Sequence, residues 1–392
     1  MRKLDIASRT FATLEEAVRI GSLTVETPEG RIATFSGANP GPAATIILHD
    51  WRTVGAALAQ GDIGLGESYM AGWWDSPDVE ALYAVLMLNM DGLGRLAWGS
   101  WLHRIVSVFR EWVLRRNSLS GARRNIMAHY DVGNDFYELW LDPTMSYSSA
   151  IFATPDTSLV AAQHAKYNRI LDRLGARNAE VLEVGCGWGG FIAAARGQGR
   201  QVTALTISPR QHAFVRARYG AAIDVRLQDY RAVEGRFPAI VSIEMFEAVG
   251  ERYWPVYFST LRERLTSDGV AIVQTISIAE DRFAAYRTSS DYIRHHVFPG
   301  GMLPSLTRFT ARAEAAGLSV GDVYSFGPDY ARTCRAWLTR FDEATPRLAS
   351  LGYAQEFLRG WRLYLAMCAS AFALRRTDVH QIELRHLAAN TA

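Results

Sequence analysis

An apolar strand that leads directly into a glycine-spaced turn and a helix constrains the fold of this 392-residue chain most strongly. The segment reads Val181-Leu182-Glu183-Val184-Gly185-Cys186-Gly187-Trp188-Gly189-Gly190, and residues 191–195 continue it as the start of a helix. Glycines at alternate positions let the backbone turn tightly and bring main-chain N–H groups close to a ligand. Such a turn is typical of the ligand-binding edge of a doubly wound sheet.

Strands and helices alternate around this loop. The predicted strands are 180–184, 201–206, 223–227, 238–243 and 269–275, and the predicted helices are about 158–174, 189–197, 209–219 and 253–265. This alternation predicts an α/β fold with a parallel, doubly wound sheet.

Residues 1–95 predict a smaller α+β domain. Apolar and polar residues alternate over 22–26 and 31–35 on either side of a Pro-Glu-Gly turn, which is typical of a hairpin. A third strand is expected at 44–48, with helices around 52–60 and 78–90.

A basic segment at 96–124 is predicted to be an amphipathic helical linker. Trp98, Trp101, Phe109 and Trp112 recur at helical spacing, and arginines lie between them. A basic helix with tryptophans can lie in a membrane interface. Packing of its apolar face on a core, with the basic face in water, is the alternative, and the sequence leaves both open.

Composition excludes several classes of protein. A net charge of +2 gives no sign of nucleic-acid binding, and the three scattered cysteines predict neither a metal site nor a disulfide framework. The N-terminus lacks the apolar core of a signal peptide, and no window holds about 18 uninterrupted apolar residues. We therefore expect a cytoplasmic protein without a bilayer-spanning segment.

The glycine spacing separates two classes of cofactor. Gly185, Gly187 and Gly190 fit the dinucleotide pattern, but Trp188 stands where the helix of that motif would begin. The E-x-G-x-G-x-G form instead resembles the S-adenosylmethionine loop of class I methyltransferases.

Five further segments carry a more specific resemblance. They are AHYDVGNDFY at 128–137, LDPTMSYSSA at 141–150, IEMFEAVG at 243–250, YIRHHVFPGG at 292–301 and FGPDYART at 326–333. In this order and spacing they resemble the cyclopropane-fatty-acyl-phospholipid synthase family, from about residue 60 to the C-terminus. The resemblance implies a mostly parallel, seven-stranded class I methyltransferase sheet within residues 125–392. It also implies a lipid-binding role for the N-terminal domain.

The loop and the resemblance together imply an S-adenosylmethionine site. Thr206 and Gln211, in a T-x-S-x-x-Q pattern, replace the usual acidic ribose ligand, and Asp229 is placed to accept from the adenine amine. Asp229 is also a candidate helix N-cap, and the two roles are compatible. The remaining candidate cofactor residues are Gly185, Gly187, Trp188 and Gly189 of the loop, with Tyr130, Tyr147 and Ser148 over the sulfonium. Aromatic faces attract such a cation.

The resemblance also implies a base site built around bicarbonate, which in the family is held by a Cys, a Glu, a His, a backbone group and a Tyr. Glu247 and Tyr330 match the Glu and the Tyr, and the backbone position falls at Ile276. Ser149 and Gln274 stand where the family has Cys and His. Glu247 is the one carboxylate expected in this site.

These residues imply a C-methyltransferase acting on a double bond in an acyl chain. Methyl transfer to an alkene leaves a carbocation, so a base must remove a proton. Loss from the added methyl closes a cyclopropane, whereas loss from a neighbouring carbon gives a methyl-branched alkene. Because Ser149 and Gln274 depart from the family, the anion is expected to bind more weakly, or Glu247 to act as the base. A changed base can alter which proton is lost, and a methyl-branched product without ring closure is then expected. The alternative is that both substitutions are tolerated and the product is unchanged.

The implied substrate is an unsaturated phospholipid acyl chain, reached by peripheral contact with the inner face of an anionic membrane. The sequence leaves open whether the chain forms a homodimer. The alternatives are a methylated diene leading to a furan fatty acid, a methyltransferase for soluble small molecules, and a non-catalytic lipid-binding protein.

Overall fold

The computed structural model describes residues 3–100, 132–175 and 179–387, without the side chains of residues 3–6 and Arg95. Most of the predicted 96–124 linker, and Tyr130, therefore lie outside the described residues. The chain divides into two compact units. The first contains the described residues up to 100 together with 288–297 and 337–374, and the second contains the rest.

The described α-helices occupy both units. In chain order they are α1 (Lys3–Ala17), α2 (Arg52–Gln60), α3 (Asp62–Met70), α4 (Val79–Leu88), α5 (Met90–Leu93), α6 (Arg95–Trp98), α7 (Asn134–Glu138), α8 (Leu159–Arg173), α9 (Gly190–Gly197), α10 (Pro209–Tyr219), α11 (Trp254–Arg264), α12 (Glu280–Arg287), α13 (Leu306–Ala315), α14 (Gly327–Ser350) and α15 (Gln355–Ala373). None of the helices in this part of the chain is long and apolar enough to cross a membrane.

The first unit contains a four-stranded sheet in the order β2-β1-β3-β4. Its strands are β1 (Ile20–Glu26), β2 (Ile32–Ser36), β3 (Asn39–Leu48) and β4 (Trp74–Asp75). The predicted hairpin is confirmed, because β1 and β2 pair antiparallel. The third strand begins earlier than predicted and pairs parallel to β1.

The first unit also differs from the predicted 1–95 domain in its extent. Helix α15 contacts α3 and α4, so a late segment of the sequence belongs to the same compact unit. Arg359 of α15 donates to the Trp74 carbonyl and pairs with Asp75 at 2.8 Å, which fixes the helix to β4. Sequence periodicity carries no signal for such a long-range contact.

The second unit contains a seven-stranded sheet in the order β10-β11-β9-β8-β5-β6-β7. Its strands are β5 (Val181–Val184), β6 (Val202–Thr206), β7 (Asp224–Leu227), β8 (Phe237–Ile243), β9 (Leu265–Ile278), β10 (Leu318–Ser325) and β11 (Thr377–His386). Strands β7, β6, β5, β8 and β9 are mutually parallel, and β11 runs antiparallel to both of its neighbours, β9 and β10. The predicted mostly parallel, seven-stranded sheet is confirmed.

Burial explains why this sheet forms. Every residue of β5 and β6 is buried, as expected for parallel strands with both faces covered. Burying one Val, Leu or Ile side chain contributes roughly 1.5–3 kcal/mol relative to leaving it exposed. The packed strands place the carboxyl ends of β5, β6 and β8 at one edge of the sheet, where doubly wound folds bind ligands.

Candidate active site

The glycine loop after β5 has the backbone geometry that its sequence predicts. Gly185, Gly187 and Gly189 have φ of +86°, +50° and +83°, in the left-handed region that favours glycine. Gly189 is the N-cap of α9, so the loop presents a helix N-terminus. A Cβ added at Gly187 would meet no atom within 4 Å, which leaves room above this residue for a ligand.

The polar residues after β6 are bonded to one another. Thr206 Oγ1 donates to Gln211 Oε1 at 2.9 Å and accepts from the Ser208 amide at 3.1 Å. Both side chains are buried, with Thr206 at the last residue of β6 and Gln211 in the first turn of α10. Their mutual hydrogen bond holds them in one orientation at the edge of the sheet where a ribose ligand was expected.

Asp229 follows β7 and is engaged by a neighbour. Its Oδ1 accepts from the Arg231 amide at 2.9 Å, which confirms the predicted capping role. The Arg231 guanidinium also pairs with Asp229 Oδ2 at 2.7 Å. Contact of Asp229 with an adenine amine stays a prediction.

Aromatic side chains surround the loop. The Trp188 indole is buried, donates to Asn134 Oδ1 at 3.0 Å and lies 4.7 Å from the Tyr137 ring. Tyr147 is half-buried, with its ring centroid 5.6 Å from that of Tyr137. The next residue, Ser148, is buried, and its hydroxyl accepts from Lys166 Nζ at 2.7 Å.

Three predicted base-site residues converge on a carboxylate that the sequence interpretation did not include, Glu244. The amide of Ser149 donates to Glu244 Oε1 at 2.8 Å, and Gln274 Nε2 donates to the same oxygen at 2.7 Å. The Tyr330 hydroxyl donates to Glu244 Oε2 at 2.6 Å. Hydrogen bonds to an ionised acceptor are roughly twice as strong as neutral ones.

The expectation that Glu247 is the one carboxylate in this site is therefore wrong. Glu247 lies one short turn after Glu244, and its Oε1 accepts from the Ile276 amide and from the Thr275 hydroxyl. Ser149 also acts differently from the expectation, because its amide reaches the carboxylate while its hydroxyl donates to the Ala150 carbonyl at 3.1 Å.

The environments of the two glutamates separate their protonation. Burial, followed by the charge of Glu244, raises the pKa of Glu247 to about 8, so Glu247 is mainly protonated at neutral pH. Burial also raises the pKa of Glu244, while the donors from Tyr330, Ser149 and Gln274 oppose that rise. Three hydrogen-bond donors therefore face Glu244, and the neutral carboxyl group of Glu247 lies beside it. Pairs of carboxyl groups in different environments are how many sites divide acid and base roles.

A buried cation faces the same pocket. Lys166 of α8 has no solvent exposure, and burial lowers its pKa to about 7. The charge of Lys166 acts in turn on Glu244 and lowers the pKa of that carboxyl group. Glu244 itself has a φ of +48°, an uncommon conformation for a residue other than glycine, and such residues cluster at functional sites.

The glycine loop and the glutamates belong to one site. A Cβ at Gly185 would lie 2.9 Å from Cγ of Met245, the residue after Glu244. The F-P-G-G segment also reaches this pocket, because the Met302 amide that follows it donates to the Glu247 carbonyl at 2.9 Å. Glu244 and Lys166 are the additions that the sequence interpretation missed. The position of Glu244 directly after a buried strand was the available signal for it.

A separate cluster lies in the first unit. Ligand-type atoms of Glu67, His295 and His296 lie within 4.8 Å of one another. His296 Nε2 lies 3.2 Å from Glu67 Oε1, and this hydrogen bond lowers the pKa of Glu67. The prediction that the chain holds no metal stays a prediction.

Comparison with known proteins gives one consistent grouping. A family model described as mycolic acid cyclopropane synthetase matches residues 117–382. Tuberculostearic acid methyltransferase of Mycobacterium tuberculosis is 37% identical over 364 residues, covering 89% of this chain and 84% of its own length. Cyclopropane-fatty-acyl-phospholipid synthase of Escherichia coli K12 is 33% identical over 337 residues, covering 83% of each chain. The solved structure of mycolic acid cyclopropane synthase CmaA1, complexed with SAH and CTAB, is 31% identical with a TM-score of 0.62, covering 67% of this chain and 97% of its own.

Proposed function

The chain belongs to the mycolic acid cyclopropane synthetase family, and we propose that it methylates the double bond of an unsaturated phospholipid acyl chain with Glu244 as its base. It is an S-adenosylmethionine-dependent methyltransferase with the class I sheet. The proposal concerns the lipid class, the product and the origin of the base.

The convergence of three donors on Glu244 carries the proposal. The Ser149 amide, the Gln274 amide group and the Tyr330 hydroxyl come from positions that, by resemblance, surround bicarbonate. A carboxylate and a bicarbonate share the same planar pair of acceptor oxygens. We therefore infer that the Glu244 side chain takes the place of the exogenous anion.

The loop residues fit the cofactor. The open space above Gly187 and the positive φ angles of the loop suit a ligand that passes close to the backbone. Gly185, Gly187 and Gly189 would hold its methionine end, with Thr206, Gln211 and Asp229 toward the nucleoside. Tyr147, Ser148 and Trp188 would line the sulfonium end, with Tyr130 as a further candidate. When bound, S-adenosylmethionine supplies an activated methyl group.

The base completes the reaction. The π electrons of the alkene form the new carbon–carbon bond to the methyl carbon while the bond from that carbon to the sulfonium sulfur breaks, and its electron pair leaves with the neutral thioether. This leaves a cationic carbon in the acyl chain. Glu244 then accepts a proton, and the electrons of that C–H bond neutralise the cation. Loss from the added methyl gives a ring, and loss from a neighbouring chain carbon gives a methyl-branched alkene. We propose the branched alkene as the main product, because a base tethered to β8 is confined to one side of the cation.

The function is testable with vesicles and a methyl-labelled cofactor. Anionic vesicles with monounsaturated phospholipid chains should gain label in the acyl chain, and vesicles with fully saturated chains should not. Weaker labelling at high salt would indicate an electrostatic membrane contact, because surface charges are screened beyond about 8–10 Å. No labelling of unsaturated lipid, with transfer to a soluble acceptor, would refute the proposed substrate.

The product needs a second measurement, because the ring and the branched alkene have the same mass. Mild catalytic hydrogenation reduces the alkene and leaves the cyclopropane intact. A gain of two hydrogens by the labelled chain is expected. A chain that resists hydrogenation and shows upfield ring-methylene protons would establish the cyclopropane instead.

Turnover is expected to fall as the pH is lowered. A base must be ionised, and burial raises the pKa of Glu244 above its ordinary value of about 4.3. The acid limb of kcat against pH should therefore lie above the range of an exposed glutamate. A midpoint at or below the ordinary glutamate pKa, or no fall in kcat on the acid side, would contradict this assignment.

A further inference from the structure

A buried chain of hydrogen bonds leads from the edge of the second unit to Glu244. Arg169 Nη1 of α8 donates to Gln381 Oε1 at 3.0 Å. Gln381 Nε2 of β11 donates to Gln274 Oε1 of β9 at 3.0 Å, and Gln274 Nε2 donates to Glu244 Oε1 at 2.7 Å. Gln381 and Gln274 are paired across β11 and β9 and are almost fully buried.

The donor and the acceptor of every hydrogen bond in this series are determined by the groups at its two ends. A guanidinium only donates, so Gln381 must present its oxygen to Arg169 and its NH₂ group to Gln274. Gln274 must then present its oxygen to Gln381 and its NH₂ group to Glu244. An ionised carboxylate only accepts, which suits the far end. The amide orientations, which are ordinarily interchangeable, are therefore set from Arg169.

The second hydrogens of both amides fit the same orientation. Gln381 Nε2 also lies 3.4 Å from the Lys166 carbonyl, and Gln274 Nε2 lies 3.5 Å from the Ser149 carbonyl. Rotating either amide by 180° would place its oxygen against a carbonyl. Arg169 is itself held by an ion pair with Asp322 and by the face of the Tyr324 ring, 4.2 Å away.

We propose that Arg169 and Gln381 are positioning residues that fix Gln274 as a hydrogen-bond donor to the base, Glu244. This inference rests on the proposed role of Glu244. Reversal of Gln274 would turn an oxygen toward the carboxylate, which disfavours its charged form. This hydrogen-bond relay, which runs from Arg169 through Gln381 and Gln274 to Glu244, would thus make a neutral glutamine supply the donor that a histidine supplies elsewhere in the family.

Other charged and titratable groups also face Glu244 and are kept constant in the test. They are Glu247 after β8, Lys166 and Tyr167 on α8, and Tyr330 on α14. None of them is substituted, so a change in the titration of Glu244 reports the relay.

The test uses two disrupting variants of the full chain and a matched control. Gln381→Met removes the central amide without changing the charge, and Arg169→Met removes the obligate donor. Arg173→Met is the control, because Arg173 lies one turn along α8 and pairs with the same Asp322 at 3.1 Å and with Glu383 at 3.3 Å. It loses the same charge without removing a bond to Gln381. Arg169→Lys restores an obligate donor.

We expect Gln381→Met and Arg169→Met to raise, by about one pH unit, the midpoint of the fall in kcat on the acid side of the pH profile. At a given pH within that fall, kcat should be about tenfold lower than in the parent. The lipid KM and the affinity for S-adenosylhomocysteine should stay at the parent values. Arg173→Met should leave the limb in place, and Arg169→Lys should return it toward the parent.

A readout without turnover separates this inference from the proposed function. Infrared difference spectra, with Glu244→Gln as the blank, follow the carboxyl titration even if no lipid is methylated. An unshifted midpoint in Gln381→Met of parental melting temperature would overturn the relay. So would an equal shift in Arg173→Met. If Gln381→Met fails to fold, Arg169→Met and Arg173→Met decide the same question.

Discussion

Glu244→Gln should lower kcat by about 10²–10⁴-fold, the loss typical of a positioned acid–base group. The amide keeps the size of the side chain but cannot accept a proton, and its NH₂ group would face donors from Ser149, Gln274 or Tyr330. The affinity for the cofactor should change little, because the glycine loop has its own backbone geometry. Steady-state kinetics with labelled cofactor, together with calorimetry, separates the two effects.

Glu247→Gln is the matched comparison, one turn away in the same pocket. A glutamine reproduces the protonated carboxyl group in charge and shape, and its oxygen can accept from the Thr275 hydroxyl and the Ile276 amide as Glu247 does. We expect a loss of about tenfold or less, well below that of Glu244→Gln. The reverse ranking would show that Glu247 takes the proton, which is one of the two roles that the sequence left open for it.

Gly187→Val should abolish measurable binding of S-adenosylmethionine. The side chain would enter the open space above the loop, and the φ of +50° at this residue disfavours a β-branched side chain. Isothermal calorimetry on the folded variant measures the affinity directly.

Gly199→Val controls for backbone strain. Gly199 is an exposed glycine with a φ of +77° and no atom within 4 Å of an added Cβ. It lies in the turn after α9, so its variant has the strain without obstructing the loop. Equal losses of affinity in the two variants, or undiminished affinity in folded Gly187→Val, would remove the cofactor site from this loop.

The central sheet could be predicted because its signals are local. The buried strands β5, β6 and β8 are short apolar runs bounded by turns, and each was placed within one or two residues. Strands β10 and β11 were missed, since much of β10 is exposed and β11 pairs with strands distant in sequence. Gly64 and Gly66 lie within helix α3, where buried packing outweighs the low helix propensity of glycine.

The sequence predicted which residues belong to the site better than it predicted how they are arranged. Ser149, Gln274 and Tyr330 do come together, but around Glu244, which periodicity marks only as the residue after a strand. The positive φ of Glu244 and the 3-10 turn that follows it set which carboxylate meets these donors. The relay through Gln381 depends on strand pairing between β11 and β9, which no local pattern reveals.

The bicarbonate dependence of methyl transfer tests the internal base most directly, measured side by side for the parent and Glu244→Gly. Glycine suits the left-handed φ of this residue and would leave a space bounded by the Ser149 amide, Gln274 and Tyr330. In buffer freed of carbon dioxide, the parent should keep its full rate and Glu244→Gly should be nearly inactive. Added bicarbonate should restore the variant and leave the parent unchanged. A parent that needs bicarbonate, or a Glu244→Gly variant as active as the parent without it, would contradict the account.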